Sequence, residues 1–274
     1  MSTRIRFGHS PDPDDAFMFY AIAKKKIDLR NFEVIHVVED IESLNQRALR
    51  AELEVTAVSV HAYAYIHKQY AIMRSGASMG KKYGPIVVSQ SPIKSLEGKK
   101  VAIPGMLTTA YLALKLFEPD FSYVIVPFDK IFDYVKAGKA DCGLIIHEGQ
   151  ITYENLGFNR IVDLGQWWWD QTELPLPLGV DVIKKDLGRE KIREFSAVFK
   201  ESVAHSLKYR NDALHYALPF GRGISWQEGD QFVGMYVNDY TVDLGKEGEE
   251  AVRLLLARGF EEKILPEKID PEFV

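Results

Sequence analysis

Apolar and polar positions in the first sixty residues alternate between the periods of strands and helices. Residues 4–8 and 32–38 have the pattern of short strands, and residues 53–58 form a third apolar run. Between these runs, residues 16–25 and 41–51 have the composition and spacing of helices. Strands that alternate with helices in this way predict an α/β fold built on a largely parallel sheet.

The second half of the chain repeats this arrangement. A predicted helix over residues 130–137 leads through a turn into an apolar strand over residues 143–146, as the helix over 41–51 leads into the strand over 53–58. Each of the two strands ends in a polar residue. Two halves built from the same unit predict an α/β protein of two lobes with a cleft between them.

The crossings between the lobes define the predicted domain limits. A strand over residues 85–89 is the first crossing. The Leu-Pro repeat of residues 174–179 is the return crossing, because proline cannot occupy the middle of a sheet. We therefore assign residues 1–89 and 178–274 to a larger, discontinuous lobe and residues 90–177 to a smaller one.

Polar residues at the ends of the predicted strands are the first candidates for chemistry. His147 follows the strand over residues 143–146, at the carboxyl end where open α/β sheets form ligand crevices. A histidine there can accept and return a proton near neutral pH. Ser59 follows the strand over residues 53–58 in the same way. The alternative is a histidine that only caps its strand by bonding a backbone carbonyl.

The segment from Pro104 to Ala110 is a second candidate, since a predicted strand and a glycine turn meet the start of a helix there. Free backbone N–H groups, with the hydroxyls of Thr108 and Thr109, can bind a carboxylate without any cationic side chain. The alternative is that one threonine merely caps the helix. Asp15, in the proline-rich loop after the first strand, either lines the site or caps its helix.

Three adjacent tryptophans are the most conspicuous aromatic run. Trp167, Trp168 and Trp169 cannot share one face of a helix or a strand, so at least one should line the cleft or lie on the surface. We take Trp167 and Trp168 as candidates to flank a planar ligand, with packing between the lobes as the alternative. Asn238 is a further candidate for the lining of the cleft.

Composition and charge narrow the class of protein. A chain of 274 residues with 46% hydrophobic and 27% charged residues is long enough for two globular domains. The net charge of −5, without a cluster of Lys and Arg, argues against nucleic acid as a partner. The amino terminus has no signal-like region and no apolar run is long enough to span a bilayer. We therefore expect a cytoplasmic protein without a membrane partner.

Motifs for metals and common cofactors are missing from the sequence. It contains no P-loop, no dinucleotide fingerprint and no G-x-S-x-G elbow, and no His, Cys, Asp and Glu set has metal-site spacing. The single cysteine, Cys142, is expected to be a small core residue rather than a nucleophile. We expect chemistry that requires neither a metal nor an organic cofactor.

These blocks together resemble one known family, the 1,4-dihydroxy-6-naphthoate synthases of the futalosine route to menaquinone. The resemblance extends from about residue 5 to residue 258. The blocks at residues 144–148 and 174–179 are specific to the family when they occur together. The blocks are Leu144-Ile145-Ile146-His147-Glu148, Thr108-Thr109-Ala110-Tyr111, Leu174-Pro175-Leu176-Pro177-Leu178-Gly179, Ser10-Pro11-x-Pro13-x-Asp15-x-Phe17, Glu39-Asp40-x-Glu42-x-Leu44-Asn45, Trp167-Trp168 and Tyr236-Val237-Asn238.

The resemblance implies the two-lobed fold of type II periplasmic binding proteins, used as a cytoplasmic enzyme. It implies a carbon–carbon lyase that converts cyclic dehypoxanthinylfutalosine to 1,4-dihydroxy-6-naphthoate with release of dihydroxyacetone. It also implies that His147 is the proton acceptor and that substrate contacts lie on residues 57–59, which are Ala57, Val58 and Ser59, and on Thr109 and Ala110.

Our hypothesis is that an aromatic carboxylate docks at Thr108, Thr109 and the Ala110 amide, while His147 acts from the opposite wall of the cleft. The nearest alternative is chorismate dehydratase, a paralogue on the same fold. An alternative of another class is a solute-binding protein that captures a small carboxylate without chemistry. The sequence leaves a homodimer open as the oligomeric state.

Overall fold

Residues 2–274 are described by a computed structural model, which contains two β-sheets. In the first sheet, β1 pairs in parallel with β2 and β3, and β11 runs antiparallel to β3, β4 and β5. The order is β2-β1-β3-β11-β4, with β5 beside β11. The strands of this sheet are β1 (Thr3–His9), β2 (Phe32–Val38), β3 (Val55–Ser59), β4 (Tyr70–Ile72), β5 (Ser78–Gly80) and β11 (Leu176–Lys184).

The second sheet lies between β5 and β11 in the chain and has the order β10-β6-β9-β7-β8. In it, β7 pairs in parallel with β8 and β9, and β6 runs antiparallel to β9 and β10. The strands are β6 (Ile86–Ser89), β7 (Lys100–Ile103), β8 (Ser122–Ile125), β9 (Cys142–Ile145) and β10 (Asn159–Asp163). The chain thus crosses between the sheets twice, once before β6 and once before β11. The strand β6 belongs to the second sheet, whereas the predicted limit at residue 89 placed it with the first.

Helices cover both sheets, and within residues 2–274 none has the length and apolarity needed to cross a membrane. They are α1 (Pro13–Ala23), α2 (Ile41–Leu49), α3 (Val60–Ile66), α4 (Thr109–Phe117), α5 (Ile131–Lys136), α6 (Gly149–Thr152), α7 (Leu164–Thr172), α8 (Arg189–Lys208), α9 (Arg210–Ala217), α10 (Trp226–Tyr236), α11 (Asp239–Val242) and α12 (Gly245–Glu261). Short 3-10 helices cover Phe128–Lys130, Lys185–Leu187 and Leu218–Phe220. We call the first sheet with α1–α3 and α8–α12 the first lobe, and the second sheet with α4–α7 the second lobe.

Two element limits near the cleft differ from the sequence predictions. The helix α1 begins at Pro13 rather than Ala16, because the fixed φ of proline suits the first helical position and its missing N–H costs nothing there. The strand β9 ends at Ile145, so His147 lies in the turn between β9 and α6 instead of directly at the strand's end.

The apolar core is continuous across the crossing between the lobes. One cluster joins Val58 of β3 and Val180 of β11 to Leu144 of β9, and it continues into Leu112 of α4 and Leu255 of α12, all of them fully buried or nearly so. Burying a large aliphatic side chain contributes roughly 1.5–3 kcal/mol relative to exposure. The crossing is therefore well packed, which fixes the two sheet edges that face the cleft.

Candidate active site

A cavity lies between the lobes, where the carboxyl ends of β1 and β3 face the start of α4. Its empty volume, counting the part open to solvent, is about 670 Å³. The enclosed part of the cavity is about 110 Å³, smaller than the roughly 300–1,000 Å³ of most ligand sites, so a drug-sized molecule enters only if the cleft widens. Six of the predicted site residues line it, namely Asp15, Ala57, Ser59, Thr108, Thr109 and Ala110.

Alternation along β3 decides which of its last residues face the cavity. Ala57 and Ser59 line the cavity, whereas the side chain of Val58 is fully buried in the core. Successive side chains of a strand point to opposite faces, so the three residues cannot all present side chains to one ligand. Any contact of Val58 with a ligand in this cavity is left to its backbone.

The hydroxyl of Ser59 is oriented by a buried amide. Asn45, on α2, accepts a hydrogen bond from the Ser59 backbone N–H at 2.9 Å and donates its side-chain N–H to the Ser59 Oγ at 3.2 Å. Because the Oγ accepts from Asn45, its own O–H remains available as a donor. Ser59 can therefore donate a hydrogen bond to an oxygen of a ligand in the cavity.

The two threonine hydroxyls at the start of α4 are already committed. The Thr108 hydroxyl accepts from the Tyr111 N–H at 3.2 Å and donates to the Gly105 carbonyl at 2.9 Å, which makes Thr108 the helix cap. The Thr109 hydroxyl donates to the Leu178 carbonyl at 2.5 Å. The alternative of a capping role is thus observed for Thr108.

The free groups at this helix start are backbone amides. The first N–H groups of an α-helix have no partner within it, and of these the third, that of Tyr111, is taken by the Thr108 cap. The N–H groups of Thr109 and Ala110 remain, at the positive end of the helix dipole. These two amides are suited to an anion such as a carboxylate.

His147 is buried next to the cavity, and its neighbour Ile146 lines the wall. Its Nδ1 accepts a hydrogen bond from the Gly149 N–H at 3.0 Å and lies 3.7 Å from a Glu148 carboxylate oxygen. The edge of the ring packs against Phe128, with centroids 5.6 Å apart. Its Nε2 is buried and has no hydrogen-bond partner among the described residues.

Burial is the main influence on the charge of this imidazole. It lowers the pKa of His147, while the Glu148 and Asp12 carboxylates raise the pKa and the Arg222 guanidinium lowers it. The net effect is a lowered pKa, so the ring is neutral at pH 7. A neutral imidazole is the form that can take up a proton.

An arginine that the sequence did not single out lies beside this histidine. Arg222 bonds both carboxylate oxygens of Glu148 at 2.8 Å and the Asp12 carboxylate at 2.7 Å, and its guanidinium lies 4.4 Å from the Phe128 ring centroid. Pattern analysis missed Arg222 because it stands in a Gly-Arg-Gly loop that is remote in sequence from both carboxylates. The bonds of Arg222 to Glu148 and Asp12 become apparent only in the folded structure, in which the two lobes lie together.

The loop after β1 places two further carboxyl groups in the cavity wall. Asp15 accepts a hydrogen bond from the Ser10 N–H at 2.6 Å, and burial raises its pKa to about 6. Burial, with the charges of Asp15 and Asp12, raises the pKa of Asp14 well above the usual range. Burial therefore disfavours the charged form of Asp14, and the negative charge that this loop presents to a ligand is smaller than its three aspartates indicate.

Two tryptophans and one asparagine predicted as cleft lining do not line this cavity. Trp168 is buried in the core, and Trp167 packs edge-on against Phe117 of α4, with centroids 5.5 Å apart. The three tryptophans lie in the helix α7, which directs successive side chains around its axis instead of towards the cleft. Asn238 caps α11, accepting from the Tyr240 N–H at 3.0 Å. The prediction is wrong for these three residues.

Other candidate chemistry is not assembled in this structure. Within residues 2–274, no group of three or more His, Cys, Asp and Glu side chains is placed to hold a metal ion. Cys142 is buried in β9, and burial raises the pKa of its thiol to about 12. A thiol that stays protonated at pH 7 is a core residue, as the sequence indicated, and not a nucleophile.

Comparison with known proteins places the chain among enzymes of quinone synthesis. A family model described as menaquinone biosynthesis matches residues 5–261. The chain is 40% identical over 253 residues to a 1,4-dihydroxy-6-naphthoate synthase of Thermus thermophilus, covering 92% of this chain and 93% of that protein. It is 32% identical over 269 residues to the enzyme of the same name from Streptomyces coelicolor, covering 96% and 95%.

Solved structures support the two-lobed fold. A protein of Archaeoglobus fulgidus superposes with a TM-score of 0.93 at 45% identity, covering 95% of this chain and 98% of its own. The periplasmic aliphatic sulphonate-binding protein of Escherichia coli superposes with a TM-score of 0.68 at 13% identity, covering 98% of this chain and 91% of its own. The second likeness concerns the fold alone and confirms the predicted periplasmic-binding-protein-like architecture.

Proposed function

The chain belongs to the menaquinone-biosynthesis family that includes 1,4-dihydroxy-6-naphthoate synthase, and from that premise we propose the reaction and the residues that perform it. We propose that the enzyme cleaves cyclic dehypoxanthinylfutalosine to 1,4-dihydroxy-6-naphthoate and dihydroxyacetone. It is then a carbon–carbon lyase with an aromatic carboxylate as substrate. We also propose that the enzyme acts in the cytoplasm and requires no cofactor.

The observation that carries the proposal is the cavity itself, because it brings three polar elements to one place. The Ser59 hydroxyl, the free amides of Thr109 and Ala110, and the Ile146–His147 turn meet at its walls or directly beside them. The substrate carboxylate binds the two amides, where the helix dipole stabilises it. Ser59 donates a hydrogen bond to a second oxygen of the substrate.

His147 removes the proton that a neighbouring carbonyl makes acidic. The breaking carbon–carbon bond leaves its electron pair on the three-carbon fragment, which takes up a proton and departs as dihydroxyacetone, while the carbonyl left on the ring enolises and completes the aromatic system. The atoms of the substrate are divided between the two products, so neither water nor an oxidant is consumed. Aromatisation supplies driving force, and the protein contributes position and one base.

The hydrogen bonds of His147 specify which tautomer must act. While Nδ1 accepts from the Gly149 N–H, the proton of the neutral ring sits on Nε2. Uptake of a proton at Nε2 requires the other tautomer, with Nδ1–H as a donor. Glu148, whose carboxylate lies 3.7 Å from Nδ1, is the acceptor for that proton's hydrogen bond once the turn tightens around the substrate.

The first experiment is turnover of cyclic dehypoxanthinylfutalosine, followed by liquid chromatography with mass detection. We expect dihydroxynaphthoate and dihydroxyacetone in equal amounts, and loss of about 100-fold or more of the rate in His147→Ala, within the range for a general base. Circular dichroism and thermal unfolding of the variant control for its fold. Near-normal turnover by His147→Ala would refute the assignment of the base.

Two other outcomes would replace the proposal as a whole. Turnover of chorismate in place of the cyclic substrate would indicate the paralogous dehydratase. Binding of a small carboxylate without turnover of either compound would indicate a solute-binding protein, the class to which the sulphonate-binding neighbour belongs.

A further inference from the structure

Arg222 links the two lobes at the rim of the cleft. It lies in the loop between the 3-10 helix Leu218–Phe220 and α10 of the first lobe. One of its nitrogens bonds Glu148 of the second lobe at 2.8 Å, and the other bonds Asp12 of the first lobe at 2.7 Å. Its guanidinium also lies over the Phe128 ring of the second lobe.

The partners of Arg222 surround the candidate base. Glu148 follows His147 directly in the chain, and its carboxylate is 6% exposed and 3.7 Å from the imidazole Nδ1. The Phe128 ring packs against the same imidazole in a T-shaped arrangement. Arg222 therefore contacts two of the residues that surround the ring, Glu148 and Phe128, without contacting the ring itself.

The backbone of this loop is adapted to the contact. Arg222 has φ of 37°, a left-handed value that a side chain with a Cβ adopts at a cost, and Gly223 after it has φ of 86°. The contacts of the guanidinium with Glu148, Asp12 and Phe128 hold this conformation in place. Strained backbone conformations cluster at functional sites, so the conformation of Arg222 beside the candidate base supports a functional role for this residue.

We propose that Arg222 is a positioning residue that couples closure of the lobes to the orientation of His147. Arg222 holds the Glu148 carboxylate beside Nδ1, and when the turn tightens around the substrate this carboxylate accepts the Nδ1 proton and so selects the tautomer with a free Nε2. A planar guanidinium can bond two carboxylates at once through two fixed nitrogens, as Arg222 bonds Glu148 and Asp12, and this distinguishes arginine from lysine in such a role. This inference rests on the proposed function of His147 as the proton acceptor.

Three charged groups face His147, and they predict shifts of opposite sign. Glu148 and Asp12 raise the pKa of the imidazole, whereas Arg222 lowers it. Removal of the guanidinium therefore moves the pKa of His147 up, and removal of the Glu148 charge moves it down. Since the base must be unprotonated, the acid limb of kcat/KM moves in the same direction as this pKa.

The central test compares Arg222→Gln, Arg222→Lys and Glu148→Gln with the wild-type enzyme. We expect Arg222→Gln to lower kcat at least about tenfold, towards the roughly 100-fold cost of a misplaced catalytic group. KM should change less than about threefold, because the amides of α4 are untouched. Arg222→Lys, which keeps the charge without the planar fork, should be intermediate.

Arg210→Gln is the matched control. Arg210 donates hydrogen bonds to the carboxylate and to the backbone carbonyl of Asp230 and lies over the Phe17 ring, but all three residues belong to the first lobe. Its side chain is 34% exposed, close to the 28% of Arg222. Loss of kcat in Arg222→Gln but not in Arg210→Gln would separate positioning from general stabilisation.

The double variant Arg222→Gln/Glu148→Gln guards against a loss of folding, because it leaves no unpaired buried carboxylate at position 148. If Arg222 acts through Glu148, the double variant has the kcat of Glu148→Gln alone. Independent, multiplicative losses would overturn the inference, as would a wild-type kcat and pH profile in Arg222→Gln.

The pKa of His147, measured by NMR in each variant, keeps this test independent of turnover. We expect the pKa to rise in Arg222→Gln and to fall in Glu148→Gln, with the signal assigned by its loss in His147→Asn. Turnover retained in His147→Ala would remove the proposed base and this inference with it. Turnover lost in His147→Ala, with no change of pKa or kcat in Arg222→Gln, would remove the role of Arg222 alone.

Discussion

At the scale of the residue, Asp181 is the most unusual ionisable group outside the mechanism. It lies in β11, is 1% exposed, and its Oδ1 has no hydrogen-bond partner among the described residues. Burial, with the nearby charge of Asp15, raises the pKa of this carboxyl well above its usual range. The folded protein therefore holds Asp181 in the neutral form at a pH where the unfolded chain ionises it.

This burial predicts a stability that falls as the pH rises. A group whose pKa is raised in the folded state makes its full contribution to the free energy of unfolding below its unfolded pKa. That contribution is lost as the pH rises through the pKa of the folded state. Asp181→Asn, which cannot ionise, should therefore unfold about 2–4 °C above wild type at pH 8, the shift for 1 kcal/mol in a chain of this size. At pH 4 the difference should vanish. Calorimetry at both values tests this, with the exposed Asp120→Asn as control.

The residue scale also shows what kind of prediction failed. Ala57 and Ser59 face the cavity and Val58 does not, which the alternation of side chains along a strand could have indicated. The hydroxyl of Thr109 is instead committed to the Leu178 carbonyl of another element. No local pattern reports a hydrogen bond between residues so far apart in the chain.

At the scale of the element, the start of α4 is the part of the site on which substrate binding depends. Thr108 closes the first turn by accepting from the Tyr111 N–H, which keeps the amides of Thr109 and Ala110 directed at the cavity. The helix is nine residues long, so its first turn depends on this cap rather than on the remainder of the helix.

Thr108→Ala should weaken binding more than catalysis. Loss of a helix cap costs about 0.5–2 kcal/mol of stability, and a frayed first turn no longer presents its amides to a carboxylate. We expect KM to rise by about tenfold, the equivalent of 1.4 kcal/mol, with kcat little changed. Steady-state kinetics and thermal unfolding check both effects. Thr108→Ser, which retains the cap, should behave as wild type, and a lowered kcat at unchanged KM would contradict this account.

The helix α7 shows how an element overrides residue type. Trp167 and Trp168 were candidates to flank a planar ligand, with packing between the lobes as the alternative. Asp163 caps the helix through the Gly165 and Gln166 N–H groups, and the helix turns each tryptophan ring in a different direction. Trp168 enters the core and Trp169 lies near the ammonium groups of Lys81 and Lys82. The aromatic run therefore contributes to the packing of the second lobe and to its contacts with Lys81 and Lys82.

At the scale of the whole molecule, contacts on different elements hold the lobes together over the cavity. Glu42 of α2 accepts a hydrogen bond from the Leu107 N–H at 3.3 Å, next to Gly105. Tyr236 of α10 donates to Gln150 of α6 at 2.6 Å. Together with the Arg222 contacts, these bonds link the two lobes across the cavity.

Gly105→Ala should favour the open arrangement. A Cβ at this position would overlap the Glu42 side chain, which must then move and release the Leu107 N–H, so that one of the bonds between the lobes is lost. If the lobes separate as a result, KM rises by about tenfold and the radius of gyration in small-angle X-ray scattering increases. Gly234→Ala is the control, because the nearest group to its added Cβ is the flexible end of Arg210 at 3.4 Å. An unchanged radius of gyration and KM would show that Glu42 moves aside locally.

The sequence by itself determined the elements, the two lobes and the strand ends and helix start that meet at the cavity. These features follow from local periodicity, from proline and glycine, and from the rule that ligands bind at the carboxyl ends of parallel strands. The motif blocks, each a short local run, indicated the family that the comparisons then confirmed.

Only the tertiary structure decided which side chains share a site. Arg222 and Glu148 are 74 residues apart in the chain, farther than any one helix or strand extends. They are in contact because the two lobes pack against each other. The ionisation of Asp14 and Asp181 likewise depends on burial by distant segments. Contacts and desolvation are properties of the packed chain, whereas hydrophobic periodicity is a property of neighbouring residues, and this difference sets the limit of what the sequence alone predicts.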